Sequence, residues 1–349
     1  MSDKIAIMGP GAVGSYVGAF LAREGEDVTF IDMWPEHVET MRRQGLRASG
    51  SQGDFTVPVN AMHLTDAQGI KEPFDFAFIT VKSYDTEWAT HFIKRYVKPD
   101  GFFISLQNCW NDPVIGDIVG SDRQIGCIAS HIEVALWEPG HVNRGGELGR
   151  DHGHTVFRVG EQSGQITPRS EKIAGMLESI DGAYATDNLW GERWAKLCQN
   201  SMGNAISALS GLGTQELAQD ARCRSIKIHL AKEGAQVGLA LGFDVVEINA
   251  RPAKLWAEAD HGDVFEELDG SLASQGGRLN WLASMAQDVK KGRHSEIDYM
   301  NGIICTKGRE VGIPTPFNDA IVEAMHDVDD GSLKPDPSAV DRILKAVGR

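Results

Sequence analysis

The hydrophobic positions of the 349-residue chain change rhythm along its length. In the first half, short apolar runs alternate with stretches of helical period. Lys4-Ile5-Ala6-Ile7-Met8 reads as a buried parallel strand. Gly9-Pro10-Gly11-Ala12-Val13-Gly14 follows, then a helix pattern through Val17, Phe20 and Leu21 to Gly25, then a strand at Val28-Thr29-Phe30-Ile31-Asp32. The connections are short, which makes this a βαβ unit. The alternation continues, with strands expected over 75–81, 102–106 and 124–129 and helices over 84–96 and 111–119. Residues 131–160 read as an antiparallel extension, with turn signals at Pro139-Gly140-His141 and Gly145-Gly146.

Near residue 188 the texture changes. From Trp190 onward the pattern is helical, and helices are expected over 190–210, 215–241, 251–259, 278–291, 294–311 and 317–327. The tail Lys334-Pro335-Asp336-Pro337-Ser338 is a linker with a capping signal before a short amphipathic helix. The pattern predicts an α/β fold with a doubly wound parallel sheet over residues 1–187 and an all-helical domain over 188–349.

Charge narrows the partners. Lys and Arg number 34 against 49 Asp and Glu, a net charge of −15, which argues against a nucleic-acid backbone partner. It leaves room for a local pocket that takes a small anion. No apolar run reaches the ~18 residues of a membrane span. The first strand begins at Lys4, leaving no room for a leader. The five cysteines, Cys109, Cys127, Cys198, Cys223 and Cys305, are odd in number and widely spaced. Free thiols in a reducing cytoplasm fit them better than disulfides or zinc. His131, Glu133, His141, Asp151, His152 and His154 lie in a glycine-rich stretch that reads as a solvated loop, so no metal is expected. A small-molecule substrate is the expected partner. A homodimer is the expected assembly, with helices 215–241 and 294–311 available for the contact.

The glycine turn carries the first candidate chemistry. It follows a strand and opens a helix, the context a dinucleotide-binding turn requires. Gly9 permits the tight turn, Gly11 lets the backbone approach a pyrophosphate, and Gly14 lets helix and strand pack closely. Ala12 and Val13 open the helix, whose N-terminal N–H groups favour an anion. Asp32 closes the second strand, where an acid hydrogen-bonds ribose hydroxyls and repels a 2′-phosphate. NAD(H) is therefore expected, with NADP(H) as the alternative if Arg42, Arg43 or Arg47 reaches a phosphate.

In the helical half, Lys196, Asn200 and Asn204 recur every four residues and so share one stripe of a helix. Their neighbours Ala195, Leu197, Cys198 and Met202 suggest burial. A buried lysine has a lowered pKa and suits a proton donor. A surface lysine with two capping amides fits the same spacing.

Further motifs complete a resemblance. They are Gly9-x-Gly11-Ala12-Val13-Gly14, Val81-Lys82-Ser83-Tyr84, Leu106-Gln107-Asn108 and Lys196-Leu197-x-x-Asn200-x-x-x-Asn204. Ser284-Met285-x-Gln287-Asp288, Glu296-Ile297-Asp298-Tyr299-x-Asn301-Gly302 and Gly312-Ile313-Pro314-x-Pro316 follow in order. The chain resembles the ketopantoate reductase family of the 6-phosphogluconate dehydrogenase-like superfamily. That resemblance implies an N-terminal Rossmann domain, a helical C-terminal domain and an active site in the cleft between. It makes Lys196 the proton donor to the reduced carbonyl and Asn200 and Asn204 amides that hold the substrate. It makes Ser284 a substrate-carboxylate ligand, Glu296 an acid orienting substrate and lysine, and Lys82 and Asn108 cofactor-side residues. Following Gly292, Glu296 also stands where a residue caps a helix.

The chain departs from the family in three places. Asp32-Met33 stands where members using NADPH carry a basic residue. Trp281 stands three residues before Ser284 in place of an asparagine, with Asn280 one step earlier, and offers an apolar stacking surface. Extra length between about 242 and 280 suggests a lid or interface. Reduction of ketopantoate is the function the resemblance implies. A catabolic NAD-dependent dehydrogenase of a bulkier hydroxy acid or aromatic alcohol is the rival. A non-catalytic nucleotide sensor is the other class, and it has no need of Lys196, Asn200, Ser284 and Glu296 together.

Overall fold

The computed structural model describes residues 2–274 and 280–348. The chain forms two compact units, Met1–Leu189 and Trp190–Arg349. In order, the first contains β1 (Lys4–Met8), α1 (Ala12–Arg23), β2 (Asp27–Asp32), α2 (Pro35–Gln44), β3 (Leu46–Gly50), β4 (Phe55–Val57) and β5 (Asn60–His63). It continues with β6 (Phe74–Ile79), α3 (Thr86–Ile93), β7 (Val97–Ser105), α4 (Asp112–Val119), β8 (Gln124–Ala129), β9 (Glu133–Glu138), β10 (His141–Gly145), β11 (Phe157–Glu161), α5 (Pro168–Glu178) and β12 (Ala183–Thr186).

Eight strands form one sheet in the order β12-β11-β8-β7-β6-β1-β2-β5. Its pairs are parallel except β11 against β8. The side-chain period of two builds a core on each face. Ile5, Ile7, Phe76 and Phe78 point to one face, where Val17 and Phe20 of α1 meet them. Ala6, Met8, Ala77 and Ile79 point to the other, with Ala89 and Ile93 of α3 and Ile115 and Val119 of α4. Successive strands run out from β1 in both directions. The carboxyl ends of β1 and its neighbours thus form a topological switch point, where ligands bind in this architecture.

The expected antiparallel extension is only half right. β9 and β10 are an antiparallel hairpin, but they join β3 and β4 in a second sheet of order β4-β3-β10-β9. β11 returns to the large sheet. The small sheet covers the outer side of α1, which explains why Gly14 to Leu21 are all buried. A buried ion pair pins this layer. Arg144 of β10 donates to Asp181, which also accepts from the backbone N–H groups of Gly149, Arg150 and Gly182 at 3.0, 2.9 and 2.8 Å. Burial works to raise the Asp181 carboxyl, but Arg144 and these N–H donors outweigh it and hold it below the usual range.

The second unit is helical, and no strand is formed among its described residues. It comprises α6 (Leu189–Ser201, from the last residue of the first unit), α7 (Asn204–Ser210), α8 (Thr214–Gln219), α9 (Ala221–Ala240), α10 (Ala253–Ala257), α11 (Val264–Ser274), α12 (Ser284–Lys290), α13 (Asn301–Val311), α14 (Pro316–Asp329) and α15 (Val340–Ala346). Two expected helices are each divided. The 190–210 helix breaks at Gly203, and the 215–241 helix breaks at Asp220, whose carboxylate accepts from Arg222 N and Cys223 N and so starts α9 afresh. The extra 242–280 length is no lid in its described part. α10 and α11 pack on α9, Trp256 is buried with its indole N–H on Ile248 O at 2.8 Å, and Arg224 pairs with Asp269 at 2.7 Å. Residues 275–279 of that stretch lie outside the described residues. All five cysteines are buried free thiols. No described helix is long and apolar enough to cross a membrane.

Candidate active site

The glycine turn leaves β1 at the switch point. Gly9 has φ +74, and a Cβ there would strike the Val81 side chain, so this position needs glycine twice over. A Cβ on Gly14 would strike the Thr80 side chain and lie 3.2 Å from Ile7 Cγ2, which is the close helix–strand packing expected of it. Gly11 differs. Nothing of the protein comes nearer than 4.0 Å to a Cβ there, so no packing contact demands glycine at this position. No side chain caps α1, whose first residues are Ala12 and Val13, and its first turn carries no acid. The end of α1 thus offers N–H groups and a positive dipole to an anion. Asp32 ends β2, half-buried, and its Oδ1 accepts from Trp34 N at 2.9 Å. These residues fit a dinucleotide.

The arginines downstream are in use. Arg42 donates to Ala61 O at 2.8 Å, Glu39 at 2.9 Å and Asp66 at 2.5 Å. Arg47 holds Asp54 through two bonds, and Arg43 pairs with Glu39.

Lys82 and Asn108, both half-buried, lie in the loops that follow β6 and β7. Two amides join these loops. Gln107 Nε2 donates to Val81 O and Thr86 Oγ1, each at 2.8 Å. Asn111 Nδ2 donates to Ser83 Oγ at 3.0 Å and to Asn108 O at 2.8 Å. Asn111 and Thr80, whose hydroxyl donates to Gly9 O at 2.7 Å, were not among the sequence candidates. A lone Asn or Thr in a loop gives no periodic signal.

In the second unit, Lys196 and Asn200 remain one turn apart on α6, with Lys196 half-buried and Asn200 buried. The expected single stripe does not extend to Asn204. Gly203 ends the first helix, and Asn204 opens α7. There it meets another candidate: its Nδ2 lies 3.4 Å from Ser284 Oγ, the first residue of α12. Glu296 is buried at the head of a 3-10 turn over Ile297–Tyr299, and its side chain makes no capping bond, so capping is not its role. Asn301 Nδ2 donates to Ser201 O at 3.1 Å and to Asn318 Oδ1 at 2.9 Å, tying the end of α6 to the starts of α13 and α14. Cys198 has its thiol raised by burial and stays protonated.

Trp281 is not on a helix. Residues 278 and 279 of the expected 278–291 helix lie outside the described residues; among the described ones the helix begins at Ser284, and Trp281 lies in the segment before it, half-buried. Thr214 N donates to Trp281 O at 2.9 Å, and Trp281 N donates to Thr214 Oγ1 at 3.1 Å. Asn280 is committed elsewhere, accepting from Gln215 N at 3.1 Å and donating to Glu216 at 2.9 Å at the start of α8. The histidines of the 131–154 stretch are dispersed. His131 stacks on His154, His141 binds Ser49 and Glu138, and His152 pairs with Glu147. No group of three or more metal-ligating side chains converges among the described residues.

Comparison with known proteins gives consistent matches. The model described as "Ketopantoate reductase PanE/ApbA" matches residues 5–155, and "Ketopantoate reductase PanE/ApbA C terminal" matches 188–329. A 2-dehydropantoate 2-reductase of Pyrococcus horikoshii is 31% identical, over 94% of this chain and 99% of its own. A crystal structure of a PanE/ApbA family ketopantoate reductase from Ralstonia eutropha superposes with TM-score 0.75 at 26% identity, covering 94% of this chain and 99% of that one. D-mandelate dehydrogenase, solved as a ternary structure with NADH and anilino(oxo)acetate, shares the fold with TM-score 0.78 at 24% identity, again over 94% and 99%.

Proposed function

The chain belongs to the ketopantoate reductase family and is an oxidoreductase acting on a CH–OH group, and on that premise we propose that it reduces a 2-oxo acid with NAD(H), Lys196 giving the proton. The observation that carries the reading is the meeting of Asn204 and Ser284, brought from 80 residues apart to the N-terminal ends of two helices. Bound NADH supplies the hydride. The turn from Gly9 to Gly14 and the open end of α1 hold the pyrophosphate, Asp32 takes the ribose hydroxyls, and Lys82 and Asn108 complete the cofactor side.

Reduction of a carbonyl carbon builds negative charge on its oxygen. The Lys196 ammonium stabilises that charge and delivers a proton to the oxygen. Asn200, one turn along α6, donates to the same substrate. Asn204 and Ser284 offer an N–H and an O–H to its carboxylate, and Glu296 orients the substrate hydroxyl and the lysine. Ketopantoate is the substrate this set favours.

Trp281 favours a second reading. Thr214 fixes its backbone three residues before Ser284, so it can stand as an apolar wall beside a carboxylate ligand. A bulkier or aromatic 2-oxo acid would gain stacking there. The test is consumption of NADH and NADPH with ketopantoate, phenylglyoxylate and short 2-oxo acids, comparing the wild type with Lys196→Ala. Expected is turnover by the wild type, and loss of about 10²–10⁴ in kcat for the variant with cofactor binding retained. Full activity in Lys196→Ala would remove the lysine from the mechanism. A wild type inert towards every 2-oxo acid with both cofactors would overturn the proposal.

A further inference from the structure

His37 is wholly buried on α2, and its ring bridges the glycine turn on one side and the β9–β10 hairpin on the other. Gly140, at the tip of the β9–β10 hairpin, donates its N–H to His37 Nδ1 at 2.9 Å. Nδ1 therefore carries no proton, and the neutral ring has its proton on Nε2. That nitrogen lies 3.2 Å from Pro10 O and 3.3 Å from Ser15 Oγ, while Ser15 Oγ itself donates to Pro10 O at 2.7 Å. Burial lowers the His37 pKa, keeping the ring neutral, against the opposing pull of Asp32.

The peptide at the middle of the glycine turn is thus held from both sides: the Pro10 carbonyl faces the His37 ring and accepts from Ser15, and the Gly11 N–H donates to Gly9 O at 2.7 Å. That peptide leads directly into the open end of α1. The Trp34 ring stacks on His37 at 5.4 Å, and the Trp34 N–H binds Asp32. The hairpin tip is seated firmly. Gly140 has φ +72, and a Cβ there would strike Thr40 of α2.

We propose that His37 is a positioning residue for dinucleotide binding, and that the small sheet braces the cofactor turn through it. The inference rests on the reading above that this turn holds NAD(H). It gives a role to the Pro139-Gly140 turn and to a sheet that contributes none of the expected ligands.

The experiment compares His37→Asn and His37→Gln with the wild type. The Asn carboxamide is too short to reach both Pro10 and Gly140, whereas the Gln carboxamide is longer and carries both a donor and an acceptor. NADH dissociation constants come from fluorescence titration, with separate KM values for NADH and 2-oxo acid and melting temperatures. Expected is about tenfold weaker NADH binding in His37→Asn, the scale of one buried hydrogen bond, with recovery to within about threefold in His37→Gln. The 2-oxo acid KM stays unchanged in both. Wild-type NADH affinity in His37→Asn, whatever its melting temperature, overturns the role of His37 alone. Failure of the wild type to bind either dinucleotide overturns the cofactor reading first.

Discussion

Asp32 Oδ1 accepts the backbone N–H of Trp34 at 2.9 Å, so the acid that ends β2 is held by the residue that precedes α2. On the proposed reading, a carboxylate fixed there would meet the diol of an adenosine ribose and repel a phosphate on it. Arg42 cannot compensate without giving up Ala61, Glu39 and Asp66. The wild type is expected to prefer NADH over NADPH by at least tenfold in kcat/KM, ~1.4 kcal/mol. Asp32→Ser should narrow that ratio by raising the NADH KM and easing entry of NADPH. Steady-state kinetics with both cofactors decide it, and an NADPH preference in the wild type would sink the assignment.

The contact between Asn204 and Ser284 is long at 3.4 Å and exposed, so it contributes little to folding. Ser284→Ala and Asn204→Ala should each change stability by less than about 0.5 kcal/mol. Each should raise the 2-oxo acid KM about tenfold through a lost carboxylate bond. If the two bind one substrate carboxylate, as proposed, the double variant should fall short of the product of the single effects. Unchanged KM in both single variants would remove this pair from the site.

Much of the geometry of the glycine turn and the strand ends beside it was legible because it is local. Gly9, Gly14 and Asp32 act through a turn and a strand end adjacent in sequence, where glycine sterics and strand period speak directly. What stayed hidden is non-local. β3 pairs with β10 across nearly a hundred residues, and nothing in Leu46–Gly50 announces that partner. His37 reaches Gly140 over 103 residues and reads in sequence as one more polar residue of a surface helix. In the helical unit, period alone carried the 190–210 pattern across Gly203, because both α6 and α7 bury apolar faces. The break moved Asn204 off the Lys196 stripe and onto Ser284. Trp281 was legible as an oddity but not as an extended residue, since helical period ran through the segment that Thr214 holds.

The Arg144–Asp181 pair has both side chains wholly buried, and two further guanidinium nitrogens of Arg144 have no protein partner. Asp181→Asn would leave that charge uncompensated under the small sheet. The expected loss is about 3–5 kcal/mol in urea unfolding. The lowered carboxyl stabilises the protein above its unfolded pKa of 3.8, and that share fades as pH falls through the folded value. A variant as stable as the wild type at neutral pH would contradict this account.

Glu233 carries a pH dependence of the opposite sign. It is buried on α9 and pushed up to about 7 by burial, although the N–H groups of Phe317 and Asn318 at 2.9 Å and Asn318 Nδ2 at 2.7 Å draw it back. Asp319 adds a further rise. In the unfolded chain the same carboxyl titrates near 4.5. Between those values the folded protein holds a proton that the unfolded chain has released. Stability from this group is complete below the lower value and is lost as pH rises through the upper one. Glu233→Gln mimics the protonated form and removes the step. Relative to this variant, the wild type should lose stability on the order of 3 kcal/mol between about pH 4.5 and pH 8. Urea unfolding of both proteins across that range measures the difference. A wild type that gains on the variant as pH rises would show instead that the three N–H donors keep Glu233 ionised as the cap of α14.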